Sequence, residues 1–135
     1  MTLEMTKVSV IIPVYNSEKT IRVCLQSVLN NKYDNFEVIV VDDKSTDNTE
    51  KIIDDIHNRQ IKYFINKTNS GASFSRNYGI QKSKGNLILL LDSDSYVEEN
   101  WIERHVKIHK GVSTDIIGGG VIGIHNTLYG KCDAF

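Results

Sequence analysis

Three apolar, β-branched runs constrain this chain more than any other feature: Val8–Val14, Phe36–Val41 and Leu87–Leu91. A strand exposed on one face alternates apolar with polar residues. A strand buried on both faces reads as a near-continuous apolar run, which is the mark of a parallel sheet covered by helices. Between the runs the period changes. Ile21, Cys24, Leu25, Val28 and Leu29 recur at i, i+3, i+4, i+7 and i+8, which predicts a helix with one apolar face. Asn16 is a suitable N-cap for it.

The same reading extends along the chain. Asp47 with Glu50 resembles a capping box opening a second helix that carries Ile52, Ile53 and Ile56. A shorter strand is expected over Ile61–Ile65, and a helix over Ala72–Lys82 with Phe74, Tyr78 and Ile80 as its apolar positions. The fourth strand is expected over Asn86–Leu91. Glu98 and Glu99 suit a helix start, and His109, Lys110 and Gly111 suit its end. A fifth strand is expected over Ile116–Ile124, interrupted by Gly118, Gly119 and Gly120. Strict β–α alternation predicts an α/β fold with a parallel sheet and right-handed crossovers.

Composition narrows the function. The 135 residues fit one domain, with 40 % apolar and 24 % charged residues. Lys and Arg number 16 against 17 Asp and Glu, which disfavours a general nucleic-acid binder, since these show a basic face. Cys24 and Cys132 form no CxxC pair, so neither a zinc site nor a redox motif is suggested, and both are expected as reduced thiols. No stretch approaches the roughly 20 apolar residues of a membrane span, and Met1–Lys7 lacks a signal-peptide core. The expected location is cytoplasmic, with peripheral attachment at the cytoplasmic membrane face left open.

In parallel α/β sheets ligands bind outside the carboxyl ends of the strands. The unusual polar residues stand at those ends: Tyr15 and Asn16, then Asp42 and Asp43, then Asp92 and Asp94. All three groups are expected to face one crevice. Two carboxylates one residue apart, as in Asp92-Ser93-Asp94, can converge on a hard cation such as Mg²⁺ or Mn²⁺. The same tripeptide also suits a strand-end turn. Asp42 and Asp43 can accept hydrogen bonds from a base or ribose, or cap the turn at Ser45 and Thr46. Tyr15 can stack on a base, or sit half-buried in a loop. Arg76, in the small-residue stretch Gly71–Gly79, can grip phosphate in its planar fork, or form a surface ion pair.

Other candidates are weaker. His105 and His109 have zinc-like i, i+4 spacing, but Val106 stands where HExxH needs Glu. Trp101 reads as a packing anchor. No GxGxxG and no GxxxxGK[ST] is present, which removes the dinucleotide and P-loop readings.

In order, Val8–Asn16, Glu37–Asp47, Gly71 with Ser75–Gly79, and Leu89–Asp94 resemble the successive motifs of the family 2 glycosyltransferases. The resemblance covers the whole chain. It implies a GT-A fold, a Rossmann-like three-layer sandwich with a mostly parallel central sheet. Residues 1–135 would be its nucleotide-sugar-binding portion, truncated before the acceptor half. It implies transfer of a sugar from a nucleoside-diphosphate donor, most often UDP-linked, to an acceptor hydroxyl. That transfer would be metal-assisted and inverting, in cell-surface polysaccharide synthesis, onto a glycan or lipid-linked acceptor.

By the same resemblance, Pro13 and Tyr15 flank the nucleoside, Asp43 meets the base with Asp42 in support, and Arg76 lies near the donor. Asp92 approaches ribose or metal, and Asp94 binds Mn²⁺ or Mg²⁺. The catalytic base is expected beyond Phe135, and neither Asp115 nor Asp133 matches it. The competing readings are a non-catalytic nucleotide-sugar-binding module and a haloacid-dehalogenase-type phosphatase. The phosphatase pattern wants its Asp-x-Asp on the first strand, followed by Thr or Val where Tyr96 stands.

Overall fold

The computed structural model describes residues 5–112, together with the backbone of 119–123 and 130–134. Asp115, Ile116, Gly118 and Ile124 lie outside the described residues, as do the side chains of Cys132 and Asp133. The elements are β1 (Val8–Val14), α1 (Ile21–Leu29), β2 (Phe36–Asp42), α2 (Thr49–Asp54), β3 (Ile61–Ile65), α3 (Ala72–Lys82), β4 (Leu87–Leu90), β5 (Ser95–Val97), α4 (Trp101–Gly111), β6 (Gly119–Gly123) and β7 (Gly130–Ala134).

The apolar runs form a four-stranded parallel sheet in the order β3-β2-β1-β4. Every residue of β1 and β2 is buried. Their alternate side chains serve two layers. Val8, Val10, Ile12, Val38 and Val40 share one apolar cluster with Ile21, Leu25 and Val28 of α1, Ile53 of α2, and Trp101, Ile102 and Val106 of α4. Ile11, Ile39 and Val41 face the opposite layer, where Tyr78 of α3 packs. Each fully buried Val, Leu or Ile contributes about 1.5–3 kcal/mol. The result is helix, sheet, helix in three layers.

Helix α3 departs from the expected pattern. Phe74 is 51 % exposed and Ile80 is also exposed, while Ser75 and Gly79 are the buried positions. The helix lies so close to the sheet that a Cβ on Gly79 would stand 2.5 Å from Ile11 Cγ2. Close approach selects small residues at Ser75 and Gly79 and turns Phe74 and Ile80 outward, while Tyr78 packs against the sheet as expected.

Three further expectations are corrected. Asn16 does not cap α1: it adopts φ +47°, and the first turn closes on the Ser17 carbonyl. Asp47 does not pair with Glu50; its carboxylate accepts the Thr49 N–H at 2.9 Å and the Glu18 N–H at 3.1 Å. The fifth strand does not extend the parallel sheet. Its Gly119–Gly123 part, β6, runs antiparallel to β7 in a separate sheet ordered β5-β7-β6. The three-residue β5 pairs with β7 and is too short to leave a periodic signal.

Candidate functional site

The strand order creates the site. The chain places β2 and β3 on one side of β1 and then returns to place β4 on the other. The carboxyl ends of β1 and β4 therefore flank a reversal point, where neighbouring connections leave in opposite directions and open a crevice. A cavity of about 590 Å³ occupies it, lined by Pro13 near the end of β1, Asn16 to Thr20 before α1, Asp47, Ala72 and Arg76 of α3, and Asp92, Ser93 and Asp94 after β4.

The two loops on the α1 side are tied together. Asn16 N–H donates to Ser45 Oγ at 2.9 Å, and Thr46 N–H donates to Asn16 Oδ1 at 2.8 Å. Ser17 N–H donates to the buried Thr49 Oγ1 at 2.8 Å, while Asn48 N–H donates to Glu18 Oε2 at 3.0 Å. Asp47 collects three donors from Thr49 and Glu18. Burial alone would raise its pKa, but these bonds outweigh it and hold the carboxyl below the ordinary value.

The acidic tripeptide is pinned through its middle. Ser93 Oγ lies 2.9 Å from Ser17 Oγ, and the Asp92 carbonyl accepts the Ser95 N–H at 3.1 Å. Cys24, fully buried on α1, directs its thiol at that same carbonyl at 3.6 Å. The flanking carboxylates of Asp92 and Asp94 stay exposed on the cavity wall. Arg76 reaches across from α3, its Nη2 2.8 Å from Asp92 Oδ1. The ion pair is real, but it lies inside the cavity rather than on an unrelated surface.

The other predicted residues fall differently. Pro13, Arg76, Asp92 and Asp94 converge on the cavity; Tyr15, Asp42 and Asp43 do not line it. Tyr15 is exposed beside it. Asp42 is buried, accepting the Ser45 N–H at 2.7 Å and the Tyr63 hydroxyl. Burial and then this bond push the Tyr63 hydroxyl pKa well up. Asp43 is 4 % exposed and accepts from Asn66 Nδ2 at 2.8 Å, Ser70 N–H at 2.7 Å and Gly71 N–H at 2.8 Å. Burial would raise its pKa, and the three donors more than reverse that.

Ser17, Thr49 and Asp47 were missed as site residues. Small polar residues after a strand look like ordinary turn formers. His105 behaves as a core residue: buried, 2.9 Å from the Trp101 carbonyl, its ring edge-on to Trp101, its pKa lowered by burial.

Among the described residues no group of three or more His, Cys, Asp or Glu side chains could hold a metal. The donors on the Asp92-Ser93-Asp94 turn, two carboxylates with a hydroxyl between them, are all hard oxygens. They fit a cation such as Mg²⁺ or Mn²⁺, which takes one or two carboxylates and completes its shell with water and phosphate oxygens.

Comparison with known proteins agrees with this arrangement. The family model described as "Glycosyl transferase family 2" matches residues 9–130. Glycosyltransferase AglE of Haloferax volcanii is 36 % identical over 125 residues, covering 90 % of this chain and 41 % of AglE. The Escherichia coli protein WfgD, a UDP-Glc:alpha-D-GlcNAc-diphosphoundecaprenol beta-1,3-glucosyltransferase, is 34 % identical over 125 residues, covering 92 % of this chain and 49 % of WfgD. The crystal structure of S. aureus TarS 1-349 in complex with UDP-GlcNAc superposes with a TM-score of 0.83 at 33 % identity, covering 90 % of this chain and 36 % of that one. The chain thus spans less than half the length of each. With the family model matching residues 9–130 and a GT-A architecture shared with TarS, this chain belongs to glycosyl transferase family 2.

Proposed function

We propose that residues 1–135 form the nucleotide-sugar-binding part of a metal-assisted, inverting glycosyltransferase using a UDP-linked donor. One observation carries the reading: Asp92, Asp94 and Arg76 converge on a single cavity at the reversal point of the sheet. That cavity offers what a nucleoside diphosphate needs, a guanidinium fork and two carboxylates able to hold a cation.

Asp94, with Asp92, would hold Mn²⁺ or Mg²⁺; when bound, that ion neutralises the diphosphate leaving group. Arg76 would bind phosphate oxygens and orient the donor. Pro13 and the exposed Tyr15 would flank the nucleoside. A carboxylate offers roughly four acceptor positions, and Asp43 spends three on Asn66, Ser70 and Gly71. The one remaining would receive a base N–H, with Asp42 bracing the strand end through Ser45 and Tyr63. Inversion requires an acceptor hydroxyl to attack opposite the diphosphate while a carboxylate removes its proton. We infer that this base and the acceptor site lie in sequence beyond Phe135.

WfgD, by its name, acts on a diphosphoundecaprenol-linked sugar, and TarS was solved with UDP-GlcNAc. Both support a UDP-sugar donor and a lipid-linked or glycan acceptor in cell-surface polysaccharide synthesis. Among the described residues no helix is long and apolar enough to cross a membrane. We place the domain at the cytoplasmic face of the membrane, where such an acceptor would be met.

Calorimetry tests the donor site. UDP, GDP, CDP, dTDP and ADP would be titrated into the chain with Mn²⁺ and with chelator, beside Asp94→Asn. UDP should bind only with Mn²⁺ and lose at least about tenfold in affinity in the variant, as loss of a charged ligand implies. A folded chain that binds none of the five would sink the reading.

A further inference from the structure

The cavity proposed to receive an anionic donor is rich in acid. Glu18, Asp47, Asp92 and Asp94 line it, against Lys19 and Arg76. Two of the acids are committed elsewhere: Glu18 accepts from Asn48, and Asp47 accepts from Thr49 and the Glu18 N–H. Asp92 is paired with Arg76 at 2.8 Å, and Asp94 has no ion pair among the described residues. The pair is partly open to solvent, with Arg76 32 % and Asp92 63 % exposed at the side chain. An ion pair this exposed is weak and exchanges readily.

We propose that Arg76 stands in for the cation at Asp92 while the site is empty, and is handed to the diphosphate when cation and nucleotide load together. This rests on the donor-site reading above. A divalent cation that takes both carboxylates without a nucleotide competes with the guanidinium for Asp92 and offers it no anion in exchange. A cation arriving with a diphosphate takes the two carboxylates, while the phosphate oxygens offer the guanidinium a bidentate partner. Arg76 is therefore a binding residue with two opposite effects. It weakens binding of the bare cation and strengthens binding of the nucleotide. A purely structural role in α3 would move both affinities the same way.

The test is a titration of the 135-residue chain with Mn²⁺ alone, reading free Mn²⁺ by electron paramagnetic resonance, followed by UDP at saturating Mn²⁺. Arg76→Gln should bind bare Mn²⁺ about two- to fivefold more tightly than the wild type, the range expected for losing an exposed ion pair. The same variant should bind UDP about tenfold more weakly. Arg76→Lys, which keeps the charge without the fork, should leave bare Mn²⁺ close to wild type and still weaken UDP. Unchanged or weaker Mn²⁺ binding in Arg76→Gln would overturn the exchange. If wild-type UDP binding still needs Mn²⁺ and Asp94, only the exchange falls; if the wild type binds neither Mn²⁺ nor UDP, the donor-site reading falls with it.

Discussion

Asp43 Oδ2 accepts the Gly71 N–H at 2.8 Å, joining the end of β2 to the residue that opens α3. Gly71 sits at φ +93°, a conformation that side chains rarely adopt, and its neighbour Ser70 donates to the other oxygen of the same carboxylate. One buried acid thus sets where α3 begins, and Arg76 follows one turn later.

Asp43→Ala should therefore cost more than a surface change. It strands the Ser70 and Gly71 N–H groups and leaves Asn66 Nδ2 with Ser75 Oγ alone, so a loss of about 1–3 kcal/mol is expected in urea unfolding. Amide exchange at Ser70 and Gly71 should accelerate more than at β1. A variant as stable as the wild type would show that the loop is held by other contacts.

Stability should fall in acid through Glu37, at the end of the sheet remote from the cavity. Glu37 is 4 % exposed; burial alone would raise its pKa, but Lys62, Ser9 Oγ and the Lys84 N–H donate to it and lower it to about 2. Because the folded pKa lies below the unfolded one, the contribution is complete above pH of about 4.5 and disappears as pH falls toward about 2. Full protonation forfeits about 3 kcal/mol. Melting curves across that window should drop more steeply for wild type than for Glu37→Gln. Parallel slopes would contradict the assignment.

Two glycines should respond differently to alanine. At Gly85 the new Cβ meets the Ser9 backbone nitrogen at 2.6 Å and the Val8 carbonyl carbon at 2.9 Å. At Gly79 it meets Ile11 Cγ2, a side-chain methyl, at 2.5 Å. The buried, β-branched Ile11 side chain can shift only a little, but the backbone of β1 yields less still, and alanine regains up to about 1 kcal/mol of helix propensity in α3. Gly85→Ala should thus be the more destabilising, by about 1–3 kcal/mol of overpacking. Denaturant midpoints for both variants would show the order directly.

Thr49 joins the loop after β1 to the start of α2. Thr49→Val keeps the volume but removes the acceptor of Ser17 N–H, so about 1–2 kcal/mol should be lost. UDP affinity measured by calorimetry should fall too, because Ser17 anchors Ser93 between the two carboxylates. Normal affinity in a destabilised variant would separate the wall from the site.

The strands and most helices were legible because their signal is local. Val8–Val14, Ile61–Ile65 and Ala72–Lys82 appear where expected, since periodicity and breakers act over a few neighbours. The inward faces of α3 were misread because no local pattern reports how closely a helix approaches a sheet. β5 and the separate second sheet were hidden for the same reason: β5 pairs with β7, more than thirty residues away.

The sequence by itself determined that buried parallel strands alternate with helices and that acidic and polar residues stand at the strand ends. Those properties follow from side-chain size, polarity and spacing along the backbone. Only the tertiary structure decided which strand ends are neighbours. The order β3-β2-β1-β4 sets Pro13 beside Asp92 and Asp94, and the packing of α3 carries Arg76 to Asp92. It also turned Asp43 inward to hold the Gly71 turn. Such partners are separated by tens of residues, so their pairing is set by the free energy of the whole packed sheet.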